Sequence, residues 1–422
     1  FLIILLGQTF SGVGSYCTSF ALRIFVYRLT SSVRWYAWAN LISELPGLVV
    51  QPIAGWAADH PQISRTLLIT LSDVVAAGGA LYLYLLTNCE QGNYEEPNLM
   101  PPKLTITKIY FLMALWGTCS SIQYPAFQAA VGMGLVAPRW REKASGLASL
   151  GDGVAQLLSP AASGALLAAW GLRAVVGLDL ATCALAVLPV VAAPRRRRRR
   201  RRRRRGGAGG GGVAEGWRYL MKNRDLQLLL GVEAVRSFIG TFIFQLIPPM
   251  VLRISDSTAL GYASSIAGSG MLIGSILVSI WGVPASRRKS IALWLMIAQG
   301  AIMQAAGTKM TVWIIAGTGF LYLFIEPIID SCTLSLWQEA LPPALEGRLF
   351  AARRQASRVA LLLGMLLSGP LADAGFEPLL LADGQLAGSW VAAAMGTGEG
   401  RGTCLLFVLL GQVNALVAAG IL

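Results

Sequence analysis

Apolar residues fall into twelve blocks along this chain, each closed off by glycine, proline or clustered charge. The approximate limits are 1–28, 36–58, 66–87, 106–136, 144–169, 172–193, 226–252, 260–283, 290–307, 311–338, 349–371 and 402–422. About 20 residues of helix cross a hydrocarbon layer roughly 30 Å thick, so each block predicts one spanning helix. Between the sixth and seventh blocks, Pro194 is followed by an unbroken arginine run, Arg195–Arg205, and then by a glycine-rich stretch to Gly212. Nothing there can enter a core, which predicts a disordered linker. The expected architecture is an all-α membrane protein with twelve transmembrane helices in two pseudo-symmetric six-helix halves, residues 1–193 and 226–422, joined by a linker over 194–225.

The two halves carry matched breaks. In the fourth block, within GTCSSIQYPAFQ, Gly117 precedes Pro125 by eight residues, and in the tenth, within GFLYLFIEPIID, Gly319 precedes Pro327 by the same eight. Tyr124 then corresponds to Glu326 and Gln128 to Asp330. Ser159-Pro160 in the fifth block is echoed by Gly369-Pro370 in the eleventh. Internal symmetry with helix breaks at matched positions points to a transporter whose site lies between the repeats near the midplane.

Composition removes other classes. Of 422 residues, 55% are hydrophobic and 13% charged, against a charged share near a quarter in soluble domains, so a soluble enzyme is excluded. The net charge of +14 suggests nucleic acid until the eleven arginines of the run are set aside, leaving +3. That run has no interleaved aromatic residue for stacking on bases, and its expected partner is anionic lipid rather than nucleic acid. Cys17, Cys119, Cys183, Cys332 and Cys404 lie inside apolar blocks and only Cys89 in a polar loop, so neither a disulfide framework nor a zinc site is expected. With one histidine, His60, and no nucleophile motif, no catalytic site, metal or bound cofactor is expected. Both ends of the sequence lie inside apolar runs, so the natural termini are expected to extend further.

Charge also orients the chain, because Lys and Arg collect in cytoplasmic loops. Arg65, then Arg139, Arg141 and Lys143, the arginine run with Arg218, Lys222 and Arg224, then Arg287, Arg288 and Lys289, and finally Arg348, Arg353 and Arg354 mark one side. Glu90, Glu95 and Glu96 beside Lys103 and Lys108, and Asp373, Glu377, Asp383 and Glu399 beside Arg401, gather on the other. Both chain ends and the linker are expected in the cytoplasm, in a plasma membrane or, alternatively, an organellar envelope.

Several motifs resemble the major facilitator superfamily, and within it the drug:proton antiporter branch that holds the macrolide and enterobactin exporters. The loop after the second block, Pro52 to Arg65 with Gly55, Asp59 and His60, is similar to the Gly-x-x-Ala-Asp-Arg-x-x-Arg-Arg signature, with His60 where the first Arg is expected. Trp337 to Arg354, WQEALPPALEGRLFAARR, then Gly369-Pro370 with Asp373, and GTGEGRGTCLLF from Gly396, look like that branch's ending. The resemblance implies a proton-driven exporter of hydrophobic or siderophore-like compounds, acting as a monomer on a small-molecule substrate with the proton gradient as driving force. The fourth block departs from the antiporter pattern by holding Gln123 instead of an Arg. The fifth block carries Ala155, Ser159, Pro160, Ser163 and Gly164 where a glycine-rich run is usual.

Ionisable side chains inside spans are costly without a partner and are functional candidates. Glu326 and Asp330, one turn apart beside Pro327, repel one another when both are charged, as a proton-exchanging pair requires. The plainer alternative pairs Asp330 with Arg358 on the next helix. Glu233 and Arg236, three apart, are expected to neutralise each other structurally. Glu44, before Pro46, is placed equally well in the cavity or at the interface, and Gln123 and Tyr124 are expected to line the cavity. Gly55, Asp59, Arg65, Asp73, Asp152, Arg287, Arg288, Gly347 and Arg348 are assigned to an inner gate, with Asp59 as a latch that holds and releases arginines. Most of Trp35, Tyr36, Trp38, Tyr110, Trp116 and Trp170, near span ends, are assigned to the interfacial belt. The rivals to export are an importer or facilitator, and a transport-dead sensor or scaffold using the same fold.

Overall fold

The computed structural model describes residues 2–59, 65–88, 105–130, 141–192, 217–308, 311–340, 346–381 and 383–421. Four long helices open the chain: α1 Leu2–Thr30, α2 Val33–Asp59, α3 Arg65–Asn88 and α4 Ile106–Ala130. The stretch Arg141–Ala192 breaks at Gly171, whose φ of 72° and ψ of −174° are non-helical, so its limbs over 141–170 and 172–192 are α5 and α6. Then follow α7 Arg224–Ile254, α8 Ser257–Trp281, α9 Arg288–Thr308, α10 Val312–Ala340 and α11 Glu346–Pro370. The short α12, Trp390–Met395, and α13, Arg401–Ala419, complete the series.

No strand occurs among the described residues. A lipid-embedded chain must satisfy its backbone groups internally, which a helix does segment by segment. Eight helical stretches among the described residues are long and apolar enough to cross a membrane. The helices are apolar nearly all round because one side meets lipid and the other meets neighbouring helices.

Gly171 is where the chain reverses from α5 to α6. A side chain there would meet nothing within 4 Å, so the requirement for glycine is one of backbone conformation alone. Gly171→Ala is expected to cost about 1–3 kcal/mol, read as a lower unfolding temperature in detergent. An unchanged temperature would show that the reversal tolerates an L side chain.

Two compact units emerge. The first holds Phe1–Ala193, Ile247–Gly268 and Thr311–Ala316, and the second holds Pro194–Leu246, Ser269–Met310 and Gly317–Leu422. In the first unit, α1 lies along α5, where the Ser159 and Ser163 hydroxyls donate to the Val13 and Cys17 carbonyls at 3.1 and 2.9 Å. In that same unit, Gly164 meets the Ser257 carbonyl so closely that an added Cβ would stand 2.6 Å from it. The small residues of the degenerate fifth-block motif therefore serve close helix packing. In the same unit α2 packs on α4, and α3 meets α6 through Arg173, which donates to the Tyr84 hydroxyl at 3.3 Å and lies over its ring.

The second unit shows corresponding pairings. Arg353 of α11 donates to Glu233 of α7 at 3.1 Å, α8 backs directly onto the Phe320 and Phe324 carbonyls of α10, and Asn414 of α13 donates to the Met296 carbonyl of α9 at 2.9 Å. Between α11 and α13 the chain forms a π-helical turn, Leu371–Phe376, a 3-10 turn, Glu377–Leu379, and α12. The Glu377 carboxylate accepts from the Gly400 and Thr403 backbone N–H groups, which pins the start of α13.

Candidate functional site

The second unit buries a charge cluster built on α7, α9, α10 and α11. Arg236 is 6% exposed, and its guanidinium donates to Glu326 through Nη1 and to Asp330 through Nη2. One turn earlier on α7, Glu233 stands 3.9 Å from Arg236 and accepts from Arg353 at 3.1 Å. Gln299, fully buried on α9, donates to the second oxygen of Glu326 at 2.8 Å and to the Tyr322 carbonyl at 3.3 Å. The planar fork of arginine suits this double grip, since its donors are spaced for carboxylate oxygens.

The cluster is graded in exposure. Side-chain exposure rises from 7% at Arg236 through 24% at Glu326 to 53% at Asp330. One end of the network is thus sealed and the other is accessible. Arg353 also lies over the Trp337 ring, 5.6 Å from its centre, and Trp337 is fully buried with Leu220, Leu226, Leu349 and Ala352. That apolar plug backs the charges on the α7 and α11 side.

The expectation for Glu326 and Asp330 changes in one respect. Their mutual repulsion is relieved by Arg236, which the α7 sequence had suggested would pair with Glu233. At 3.9 Å against two direct hydrogen bonds, Glu233 is the lesser partner. Arg236 is the centre of the cluster, and Asp330 takes Arg236 as partner. Arg358, on α11, is half-buried.

A second polar set lies within the first unit. Asp73 of α3, 5% exposed, accepts from Gln8 of α1 at 3.1 Å and from Gln123 of α4 at 2.7 Å, and Gln123 donates as well to the Gln8 side-chain oxygen at 2.6 Å. The sequence placed Gln123 with the cavity and Asp73 with the gate, and here they are hydrogen-bonded to one another. Trp116, assigned to the interfacial belt, donates to the Ala76 carbonyl of α3 at 3.0 Å. Tyr36 is buried, 2% exposed, edge-on to Tyr27 at 6.5 Å.

Of the remaining candidates, Glu44 is exposed on α2. Arg287 is exposed in the turn Ala285–Arg287, and Arg288 pairs with Glu339, tying the start of α9 to the end of α10. The surroundings of Gly55 and Gly347, the side chains of Asp59, Arg65, Tyr124, Asp152 and Arg348, and all of His60 and Arg195–Arg205, lie outside what is described. Among the described residues no group of three His, Cys, Asp or Glu side chains is placed to hold a metal ion.

A family model described as Major Facilitator Superfamily matches residues 4–365. This chain belongs to the major facilitator superfamily. It is a multi-pass integral membrane protein of a transporter family whose members handle small molecules. It is 22% identical over 379 residues to macrolide efflux protein A of Streptococcus pyogenes, covering 87% of this chain and 88% of that one. A protein of the same name from Enterococcus faecalis is 21% identical over 338 residues, covering 77% and 97%. Both similarities agree with the drug:proton antiporter branch.

Solved structures share the major facilitator fold at low identity. A bacterial homologue of the human lysosomal transporter Spinster, inward-facing and unoccupied, gives a TM-score of 0.66 at 15% identity, covering 99% of this chain and 93% of that one. A bacterial homologue of the iron transporter ferroportin, inward-facing, gives 0.65 at 14%, covering 99% and 97%. The POT family transporter PepTSo gives 0.68 at 12%, covering 99% and 96%.

Two participants escaped the sequence reading, Gln8 and Gln299. The available signal was an amide inside an apolar helix, which must find a partner or lose the free energy of a hydrogen bond. That signal singled out Gln123 and applied equally to these two.

Proposed function

We propose that this protein is a secondary transporter that exports small amphipathic organic molecules, drug-like or siderophore-like, by alternating access of two six-helix halves coupled to protons. The observation that carries the reading is the Arg236 grip on Glu326 and Asp330 in the body of the second unit. Buried ionisable groups in a spanning helix are retained at a cost of several kcal/mol, and this set has exchangeable partners. A proton on Glu326 removes one of the two negative charges hydrogen-bonded to Arg236. A cationic substrate group can compete for the accessible Asp330, and an anionic group can compete for Arg236.

The cluster also has unused capacity. Arg236 Nε, Glu233 Oε2 and Gln299 Oε1 are buried and make no hydrogen bond among the described residues. Each such atom costs about 1–3 kcal/mol when left unpaired, so an arriving polar group or a rearrangement of the cluster gains by satisfying them. Export, rather than uptake, is supported by the similarity to the macrolide efflux proteins.

The test is transport in sealed proteoliposomes under an imposed pH gradient, with macrolides and siderophores as the panel. The parent should extrude at least one class against its gradient, and Glu326→Gln should reduce that flux to the level of empty vesicles. Uptake in place of extrusion would make the protein an importer. Unchanged flux in Glu326→Gln would remove the cluster from the coupling step, and inertness of the parent towards the whole panel would favour a sensor or scaffold.

A further inference from the structure

We propose that Gln8, Asp73 and Gln123 form a proton-binding site of the first unit, with Asp73 as the group that takes the proton and the two amides as the device that reports it. The three side chains close a ring across α1, α3 and α4: Gln8 donates to one oxygen of Asp73, Gln123 to the other, and Gln123 also to the Gln8 oxygen.

The ring differs from the Arg236 cluster in its charge. Asp73 meets neutral donors only, and no ion pair to it exists among the described residues. Among the described residues the titratable groups facing it are thiols, Cys119 on α4 and Cys183 on α6, with Asp179 behind Cys183 as the acceptor of its S–H at 3.7 Å. From α1 the facing group is the Gln8 amide. A buried carboxylate without a cation is balanced by taking a proton.

Protonation has a structural consequence that follows from donor counting. A carboxylate only accepts, and in this ring both amide nitrogens are turned towards it. A proton bound to the oxygen that faces Gln8 sets an O–H against an N–H. The conflict ends when the Gln8 amide turns over and offers its oxygen, but that oxygen is the one that accepts from Gln123. Gln123 must then give way, so one proton on α3 shifts the hydrogen bonding of α1 and α4 together. Trp116, donating to Ala76 one turn beyond Asp73, holds α4 on α3 while the ring rearranges. The proton comes from water and returns to water, and no other reactant is needed.

The role of this ring in coupling rests on the export reading, whereas its existence as a proton site does not, and the test separates the two. Infrared difference spectra of the purified protein, recorded while the pH is lowered without substrate, should show the carbonyl band of a buried carboxylic acid. That band should vanish in Asp73→Asn and persist in Glu326→Gln. Gln8→Leu, which keeps the carboxyl and removes one hydrogen bond to it, should shift the band. A band that survives Asp73→Asn, or that ignores Gln8→Leu, overturns the proposal. In vesicles, Asp73→Asn should retain substrate counterflow, which needs no net proton movement, and lose accumulation driven by the pH gradient. Accumulation equal to that of the parent would overturn the ring's part in coupling, while the infrared band alone decides the proton site.

Discussion

Arg236→Met is expected to lower the unfolding free energy by about 3–5 kcal/mol, the range seen when one member of a buried ion pair is removed. The substitution preserves length and apolar stem while deleting the cation. Among the described residues Glu326 then keeps only Gln299 as a donor, and Glu233 keeps Arg353. Asp330, with its side chain 53% exposed, can rehydrate and contributes little to the loss. Adding Glu326→Gln to Arg236→Met should recover much of the stability, because a neutral amide no longer needs the guanidinium. Thermal unfolding of the three variants in detergent reads the outcome. If Arg236→Met unfolds at the parent's temperature, the cluster is held by its surroundings and not by its charges.

A comparable loss is expected where helices touch backbone to backbone. A Cβ at Gly117 of α4 would overlap the Ser43 carbonyl of α2, and at Gly270 and Gly274 of α8 it would overlap the Phe320 and Phe324 carbonyls of α10. Overpacking of well-filled sites costs about 1–3 kcal/mol, and a backbone carbonyl cannot turn aside as a side chain can. Gly117→Val and Gly270→Val should therefore fall at the upper end of that range, with reduced yields of monodisperse protein. Gly78→Val on α3 supplies the control, since an added Cβ there meets nothing within 4 Å. Equal unfolding temperatures for Gly117→Val and Gly78→Val would show that α2 and α4 have room to separate.

These glycines show what repeat-reading can and cannot deliver. The sequence paired Gly117 with Gly319 by their spacing to Pro125 and Pro327. In the first unit the glycine that admits the second helix sits on the fourth, at Gly117. In the second unit the close-approach glycines sit on the second helix, at Gly270 and Gly274. The seam recurs while the residue that opens it changes sides, because either partner can supply the missing side chain. Aligned motifs locate the seam only to within the pair of helices.

Helical class, membrane residence and the positions of the long apolar segments were legible in the chain alone. They depend on composition and on runs of about 20 residues, which are properties of a single strand of text. The major facilitator resemblance was legible for the same reason, through short motifs at fixed spacing. The candidacy of Glu326, Asp330, Asp73 and Gln123 followed from one rule, that charge or amide in hydrocarbon must be compensated. Who compensates whom was decided only in three dimensions. Arg236 and Glu326 are ninety residues apart, and Gln8 and Gln123 one hundred and fifteen. Within α7 the local pattern favours Glu233 for Arg236, but the fold brings α10 close enough for two direct hydrogen bonds, and direct contact prevails over sequence proximity in a medium that screens so little.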